Sequence, residues 1–244
     1  MKLTAISDVH VKQPHDQADA LLMSFLTHPE VVSSDYVALL GDIFDLMCGP
    51  HPEYLKSFQH IFDQIDSLLQ KGVKVRYYEG NHDLHLSGLF LQRWKNESFL
   101  PMTSPEVITI DGKKYYLSHG DEHEIDNESY QKYKRLITSP VLTFVANQLM
   151  PYEVLNFLGE KASNISRKKG HKSFNAELVM NRFRAGVSAT VGGQYDFILG
   201  GHSHVQDMAE LSPGSYYINN GYALKSKTFI KIESHQISFP SLVE

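Results

Sequence analysis

The sequence is poor in cysteine: Cys48 stands alone among 244 residues, which excludes an internal disulfide and fits a reducing compartment. With no second cysteine to make a redox pair, Cys48 reads as a small hydrophobe in a loop. Positive charge is also short. The 23 Lys and Arg against 28 Asp and Glu leave a formal charge of -5, which argues against general nucleic-acid binding although a local basic patch is compatible with it. No low-complexity tract interrupts the chain. Nothing after Met1 resembles a signal peptide, because Lys2 leads into a short strand and the polar residues 8–17 follow at once. What is present is 42% apolar and 21% charged residues over a length that can bury a large core. The expectation is one cytoplasmic, globular domain across residues 1–244, with no nucleic-acid partner.

Histidine is plentiful, at 13 residues. Five of them fall in short polar motifs that follow apolar runs: Asp8-Val9-His10, Gly41-Asp42, Gly80-Asn81-His82-Asp83, His119-Gly120-Asp121 and Gly201-His202-Ser203-His204. The runs themselves, residues 3–7, 36–40, 73–78, 114–118 and 197–200, are short and partly β-branched or aromatic, as buried strands are. Loops at the carboxyl ends of such strands converge on one rim of a sheet, where open α/β folds bind ligands. Singly, Asp-x-His fits a turn and Gly-Asn-His-Asp fits an Asx-type loop. Together, in this order, they point to a two-metal site. Carboxylate, imidazole and amide donors without thiolate suit Mn, Fe(II), Zn or Co, and a bridging Asp42 would hold two ions roughly 3.5 to 4 Å apart, close enough to share a hydroxide and clamp a phosphoryl group.

The local patterns supply the frame. Asp16 can cap a helix over residues 18–26, and Pro52 opens one that runs through Leu69 to a stop at Gly72. Strand and helix alternate in this first part, as in a layered α/β domain. Asp111-Gly112 marks a hairpin between residues 107–110 and 114–117. Strands over 208–211, 216–219 and 228–232, separated by Pro213-Gly214 and an Asn220-Gly221 turn, are expected to build a second sheet. His85 and His123 read as solvated loop histidines more than as residues behind the ligands. Asp45, Asp83 and Asp121 divide between turn formation and orienting a ligand.

In this order the motifs resemble those of the calcineurin-like metallophosphoesterases, from Asp8 to His204. The resemblance implies an α/β fold (α+β by some schemes) of two mixed sheets sandwiched between helices. It implies two divalent ions, Mn foremost, with Asp8, His10, Asp42 and His204 on one and Asp42, Asn81, His119 and His202 on the other. His82 is then the catalytic histidine beside the transferred phosphate, with Asn81 at its side, and it either stabilises charge or protonates the leaving oxygen.

Residues 125–192 are too long for a plain connection and are expected to form a helical insertion. Residues 141–158 are rich in apolar and aromatic side chains broken by Pro140 and Pro151, and Arg167, Lys168, Lys169, His171 and Lys172 follow. On an arbitrary protein this is a packed helical excursion with a solvated basic end. Over a phosphoryl-transfer centre it also suits a substrate with acyl chains and a diphosphate, and it allows peripheral contact with the cytoplasmic face of an inner membrane. The arrangement resembles the UDP-2,3-diacylglucosamine diphosphatases of lipid A biosynthesis. The resemblance is carried by His119-Gly120-Asp121, then Asp126, Asn127, Tyr130 and Gln131, then the apolar lid. It implies Asp126, Asn127, Tyr130, Arg167, Lys168, Lys169, His171 and Lys172 as substrate contacts, and hydrolysis to UMP and the lipid monophosphate. His82 departs from this branch, whose best-known members carry Arg there, and keeps the wider pattern. Hydrolysis of another phosphoester, a soluble nucleotide among them, is the alternative, and a non-catalytic metal-binding scaffold the third.

Overall fold

The computed structural model describes residues 1–95, 97–103, 105–154 and 175–243. The chain opens with β1 (Lys2–Ile6), the Gln17–Thr27 helix, β2 (Tyr36–Leu40), the two-residue β3 (Met47–Cys48), the Pro52–Ser57 and Gln59–Gln70 helices, β4 (Lys74–Tyr78), the short β5 (Asp83–Leu84) and β6 (Phe99–Met102). A hairpin of β7 (Glu106–Ile110) and β8 (Lys113–Leu117) follows. After the Glu128–Ile137, Pro140–Phe144 and Ala176–Thr190 helices come β9 (Phe197–Gly200), β10 (Gln206–Ser212), β11 (Ser215–Asn220), β12 (Ile230–Glu233) and β13 (Gln236–Ser238).

Two mixed sheets result. One has the order β13-β12-β1-β2-β4-β6, parallel from β1 to β6, and the other the order β10-β11-β9-β8-β7. Period-two alternation assigns each strand residue a side. Leu3, Ala5, Ala38 and Leu40 meet Leu117, Leu199 and Ile218 between the sheets, while Ile6, Val37, Leu39 and Val75 face the helices that carry Leu22, Phe25, Ile61 and Phe62. Outside the second sheet, Val187 of the Ala176–Thr190 helix packs on Tyr116, Ile198 and Tyr217. The expected α/β sandwich of mixed sheets between helices is therefore the fold.

Several local expectations hold. The Asp16 side chain accepts the N–H of Asp19 at the start of the Gln17–Thr27 helix. Asp111 and Gly112 turn the hairpin with φ of 50° and 79°, the left-handed pair that a two-residue hairpin requires. Others change. The helix from Pro52 is broken at Phe58, whose backbone leaves the helical region (φ -109°, ψ 28°) as its ring packs 4.8 Å from Phe44. The terminal strands do not all join the second sheet: β12 runs antiparallel to β1 in the first, because Ile230 and Ile232 fill the space between the sheets. Asn220-Gly221 is no exposed turn, since both residues are buried at the end of β11.

Residues 125–192 divide by role. The Ala176–Thr190 helix is a layer of the sandwich, with Phe183 and Val187 buried. The Glu128–Ile137 and Pro140–Phe144 helices and the π-helical turn Val145–Leu149 contribute no buried residue. Tyr152 then anchors the segment against Tyr54, with ring centroids 5.0 Å apart. Residues 155–174, which include Arg167, Lys168, Lys169, His171 and Lys172, lie outside the described residues. No helix of the described residues is long and apolar enough to cross a membrane.

Candidate metal centre

The motif loops leave the carboxyl ends of β1, β2, β4, β8 and β9 and converge at one rim. Five of the candidate ligands, Asp8, His10, Asp42, His202 and His204, hold φ between 51° and 64°. Non-glycine residues seldom adopt that region, and where they do the surrounding structure over-determines it. The motif glycines have an equally local reason. A Cβ on Gly80 would collide with the Asp42 carboxylate, and one on Gly201 would come within 2.5 Å of Asp8 Oδ2. Each glycine is the gap through which a carboxylate reaches the rim.

Asp8, His10, Asp42 and His204 offer ligand atoms that all lie within 4.8 Å of one another. His204 Nε2 is 3.2 Å from Asp8 Oδ1, and His10 Nε2 is 3.8 Å from Asp42 Oδ2. On the other side of Asp42, His119 Nε2 lies 3.7 Å from Oδ2 and 3.3 Å from Asn81 Oδ1. His202 joins through its ring, 5.1 Å from that of His119, and through its backbone N–H, which donates to Asp8. Asp42 sits between the two groups, where the sequence places the shared ligand.

The donors fit divalent ions. His119 Nδ1 donates to the Leu40 carbonyl at 2.9 Å, His82 Nδ1 to the Asp45 carbonyl at 2.8 Å, and His202 Nε2 to Glu124 at 2.8 Å. Each imidazole thus has one nitrogen committed as a donor, which leaves the other as the ligand atom once it is deprotonated. His10 and His204 face each other Nε2 to Nε2 at 3.3 Å, too close for two N–H groups but a normal separation for two ligands of one ion. The electrostatics agree. Burial would raise the Asp42 carboxyl, yet the imidazoles of His119, His82 and His10 hold it well below the usual carboxylate range. Burial depresses His10 to about 4, which keeps it neutral. It would also lower His119, but Asp42, Asp8 and Asp121 outweigh it and lift His119 to about 9. A pocket that draws a proton so strongly is short of positive charge.

The surrounding residues divide into props and pins. Asp83, wholly buried, accepts the backbone N–H groups of Asp42, Ile43, Phe44 and Gly80 and the Tyr77 hydroxyl, so it shapes the loops that carry Asp42 and Asn81. Asp45 Oδ1 lies 3.6 Å from His10 Nδ1, and Asp121 takes the Tyr130 hydroxyl and the Lys134 ammonium. His123 and His85 are not solvated loop residues. His123 is buried with Nδ1 on the Thr190 hydroxyl, and His85 Nε2 donates to the Ile137 carbonyl, so both tie the loops to helices. Cys48 is a buried small hydrophobe as expected, but it lies in β3 and not in a loop, and burial pushes its thiol up to about 12. Of the substrate candidates, Asp126 is exposed. Asn127 is occupied as the cap of the Glu128–Ile137 helix and donates to Glu124, while the Tyr130 ring lies 4.9 Å from His202.

Three supports went unread in the sequence. Glu124 fixes His202 and is itself gripped by Arg182 and Asn127. Asn220 accepts the backbone N–H of Ser7 and donates to its carbonyl, and so fixes the residue whose Oγ donates to Asp8 Oδ2. Asn219 donates to the Gly201 carbonyl. A glutamate five residues past a ligand histidine is a faint signal, and Asn-Gly is a stronger one for a turn, which masked the other two.

Comparison with known proteins agrees with this geometry. The family model for calcineurin-like phosphoesterases matches residues 1–206. Among curated proteins the chain is similar to a UDP-2,3-diacylglucosamine hydrolase of Actinobacillus succinogenes, 25% identical over 96% of this chain and 97% of that one. It is similar also to one of Photorhabdus laumondii, 24% identical over 82% and 80%. Among solved structures, an archaeal phosphodiesterase aligns over 98% of both chains with a TM-score of 0.50 at 14% identity, a likeness of fold.

Proposed function

Since the chain belongs to the calcineurin-like phosphoesterase family and is a metal-dependent phosphoesterase, we propose that its substrate is UDP-2,3-diacylglucosamine, cleaved to UMP and the diacylglucosamine 1-phosphate. The observation that carries this reading is the unburied apolar segment beginning beside the candidate centre. Leu136, Val141, Phe144 and Leu149 are each more than half exposed, on helices that start where Tyr130 touches His202. Such a run of outward apolar side chains is unusual on a soluble surface unless something covers it. Acyl chains would. The names borne by the relatives point to the same substrate.

In this reading two divalent ions, Mn foremost, would when bound supply the Lewis acidity that activates water and offsets phosphoryl charge. Asp8, His10, Asp42 and His204 would hold one, and Asp42, Asn81, His119 and His202 the other. His82 stands outside both proposed ligand sets and is oriented by its Nδ1–H bond to the Asp45 carbonyl and its backbone N–H bond to Asp42. Its Nε2 is left to meet the phosphoryl group, to stabilise charge there or, when protonated, to pass a proton to the leaving oxygen. Asp126, Tyr130 and the basic residues 167–172 are the proposed contacts to sugar and diphosphate, and the enzyme works at the cytoplasmic face of a membrane.

His82 itself favours a second reading, hydrolysis of a soluble phosphodiester, because it keeps the wider family pattern and not the Arg of the lipid branch. A turnover assay in Mn compares UDP-2,3-diacylglucosamine, its deacylated form and a soluble phosphodiester. Strong preference for the acylated substrate is expected, since each buried methylene contributes about 0.8 kcal/mol. Equal efficiency with and without acyl chains overturns the lipid assignment.

A further inference from the structure

A second group of metal-ligating side chains lies apart from the catalytic rim and shares no residue with it. His15, in the turn before the Gln17–Thr27 helix, Asp19 in the first turn of that helix, and His60 at the start of the Gln59–Gln70 helix each offer a ligand atom, an imidazole nitrogen or a carboxylate oxygen, all within 4.8 Å of one another. We infer that these three residues form a separate site for a borderline divalent transition metal, zinc being the best fit, with water completing the coordination.

The geometry lies close to a ligand set. His60 Nε2 is 2.8 Å from Asp19 Oδ2, and His15 Nδ1 is 3.9 Å from the same oxygen. Around a tetrahedral zinc with bonds near 2.0 Å, ligand atoms stand about 3.3 Å apart. One distance must open by about half an ångström and the other close by about as much. The side chain that moves farther is free to do so: His15 is 83% exposed, whereas Asp19 is 1% exposed. The two imidazoles already lie side by side, with ring centroids 4.9 Å apart and planes 29° from parallel. Asp19 is placed from both sides: its carboxylate takes the backbone N–H of His15 and meets His60, while its own backbone N–H donates to the Asp16 side chain. Two imidazoles and a carboxylate favour Zn, Ni or Cu(II) over Mn or Mg, so this site and the catalytic rim would rank metals differently.

The competing explanation is that Asp19 and His60 merely tie two helices together. His15 decides between them, because its side chain is dispensable to that tie and essential to a three-ligand site. An untagged full-length chain is dialysed against micromolar zinc, and bound metal is measured by mass spectrometry for wild type, His15→Ala and Asp42→Ala. Wild type is expected to retain one zinc ion more than His15→Ala. In titration the affinity of that ion should fall at least about tenfold in the variant, the low end of what even an indirect ligand contact is worth. Asp42→Ala should keep the ion while losing metal from the rim, and zinc-free His15→Ala should melt with the wild type. Equal zinc in wild type and His15→Ala, or loss of all zinc in Asp42→Ala, overturns the proposal.

Discussion

Replacing Asp83 by Asn changes one oxygen to an NH2 at constant shape, and the structure gives the cost. Oδ1 accepts the N–H groups of Asp42 (2.9 Å) and Gly80 (2.8 Å), and Oδ2 those of Ile43 (2.7 Å) and Phe44 (3.3 Å) with the Tyr77 hydroxyl (2.5 Å). The amide keeps one acceptor. Its better orientation leaves the oxygen on the three-donor side and turns the NH2 against the N–H groups of Asp42 and Gly80. Two buried donors without acceptors cost about 1–3 kcal/mol each, or about 2–6 kcal/mol, a large share of a domain's roughly 5–15 kcal/mol. Those two donors lie on the residue between the metal groups and on the glycine before Asn81, so the loss falls on the centre as well as the fold. Urea unfolding of metal-free protein should show a lower midpoint at unchanged slope, and Asp83→Asn should retain less metal at equal free concentration. A shift below 1 kcal/mol with full metal content would refute the argument that Asp83 holds these loops.

His82→Ala should keep nearly normal metal content while losing about a hundredfold or more in turnover, whereas His119→Ala should lose metal; equal depletion by elemental analysis would contradict the division of roles. Glu124→Gln should weaken metal binding by about 10- to 100-fold, because the carboxylate behind His202 sets its orientation and basicity; a metal titration matching wild type would remove that role. His119, lifted to about 9, must lose its proton to bind an ion. Apparent affinity should therefore rise by about tenfold per pH unit from pH 7 and level near pH 9, with proton release seen by calorimetry in buffers of different ionisation enthalpy. The same raised value gives the metal-free protein a stabilising contribution that is full below 6.5 and lost as pH rises through about 9, so a flat affinity profile or the opposite stability trend would overturn the assignment.

The motif residues were legible because each needs a backbone that only a few sequences supply. Gly80 and Gly201 are read as motif letters, and the structure gives the reason, a carboxylate pressed where a Cβ would sit. The strands before them were legible from their apolar runs. What the sequence hid were partnerships across long separations. Nothing local tells that Ile230 and Ile232 belong beside β1, or that Glu124 ends on His202, 78 residues away. Phe58 broke a helix whose pattern ran unbroken, because packing on Phe44 outweighs propensity. His123 looked like a solvated loop residue for the same reason, its partner Thr190 being 67 residues downstream.

The bracing of Asp8 by Ser7 and Asn220 spans 213 positions, and this separation sets a timetable. During synthesis at about 5–20 residues per second, the first candidate ligand waits roughly 10–40 seconds for the asparagine that braces it. β1 waits longer still, since its antiparallel neighbour β12 is made after that. Contacts this distant in sequence carry a loop-closure cost before they return any stability, which makes folding slow. A nascent chain therefore carries Asp8, His10 and Asp42 through most of its elongation as loose donors without a centre. Assembly of this rim is a late event, and a chain released before Asn220 has the motifs but not the brace that positions Asp8.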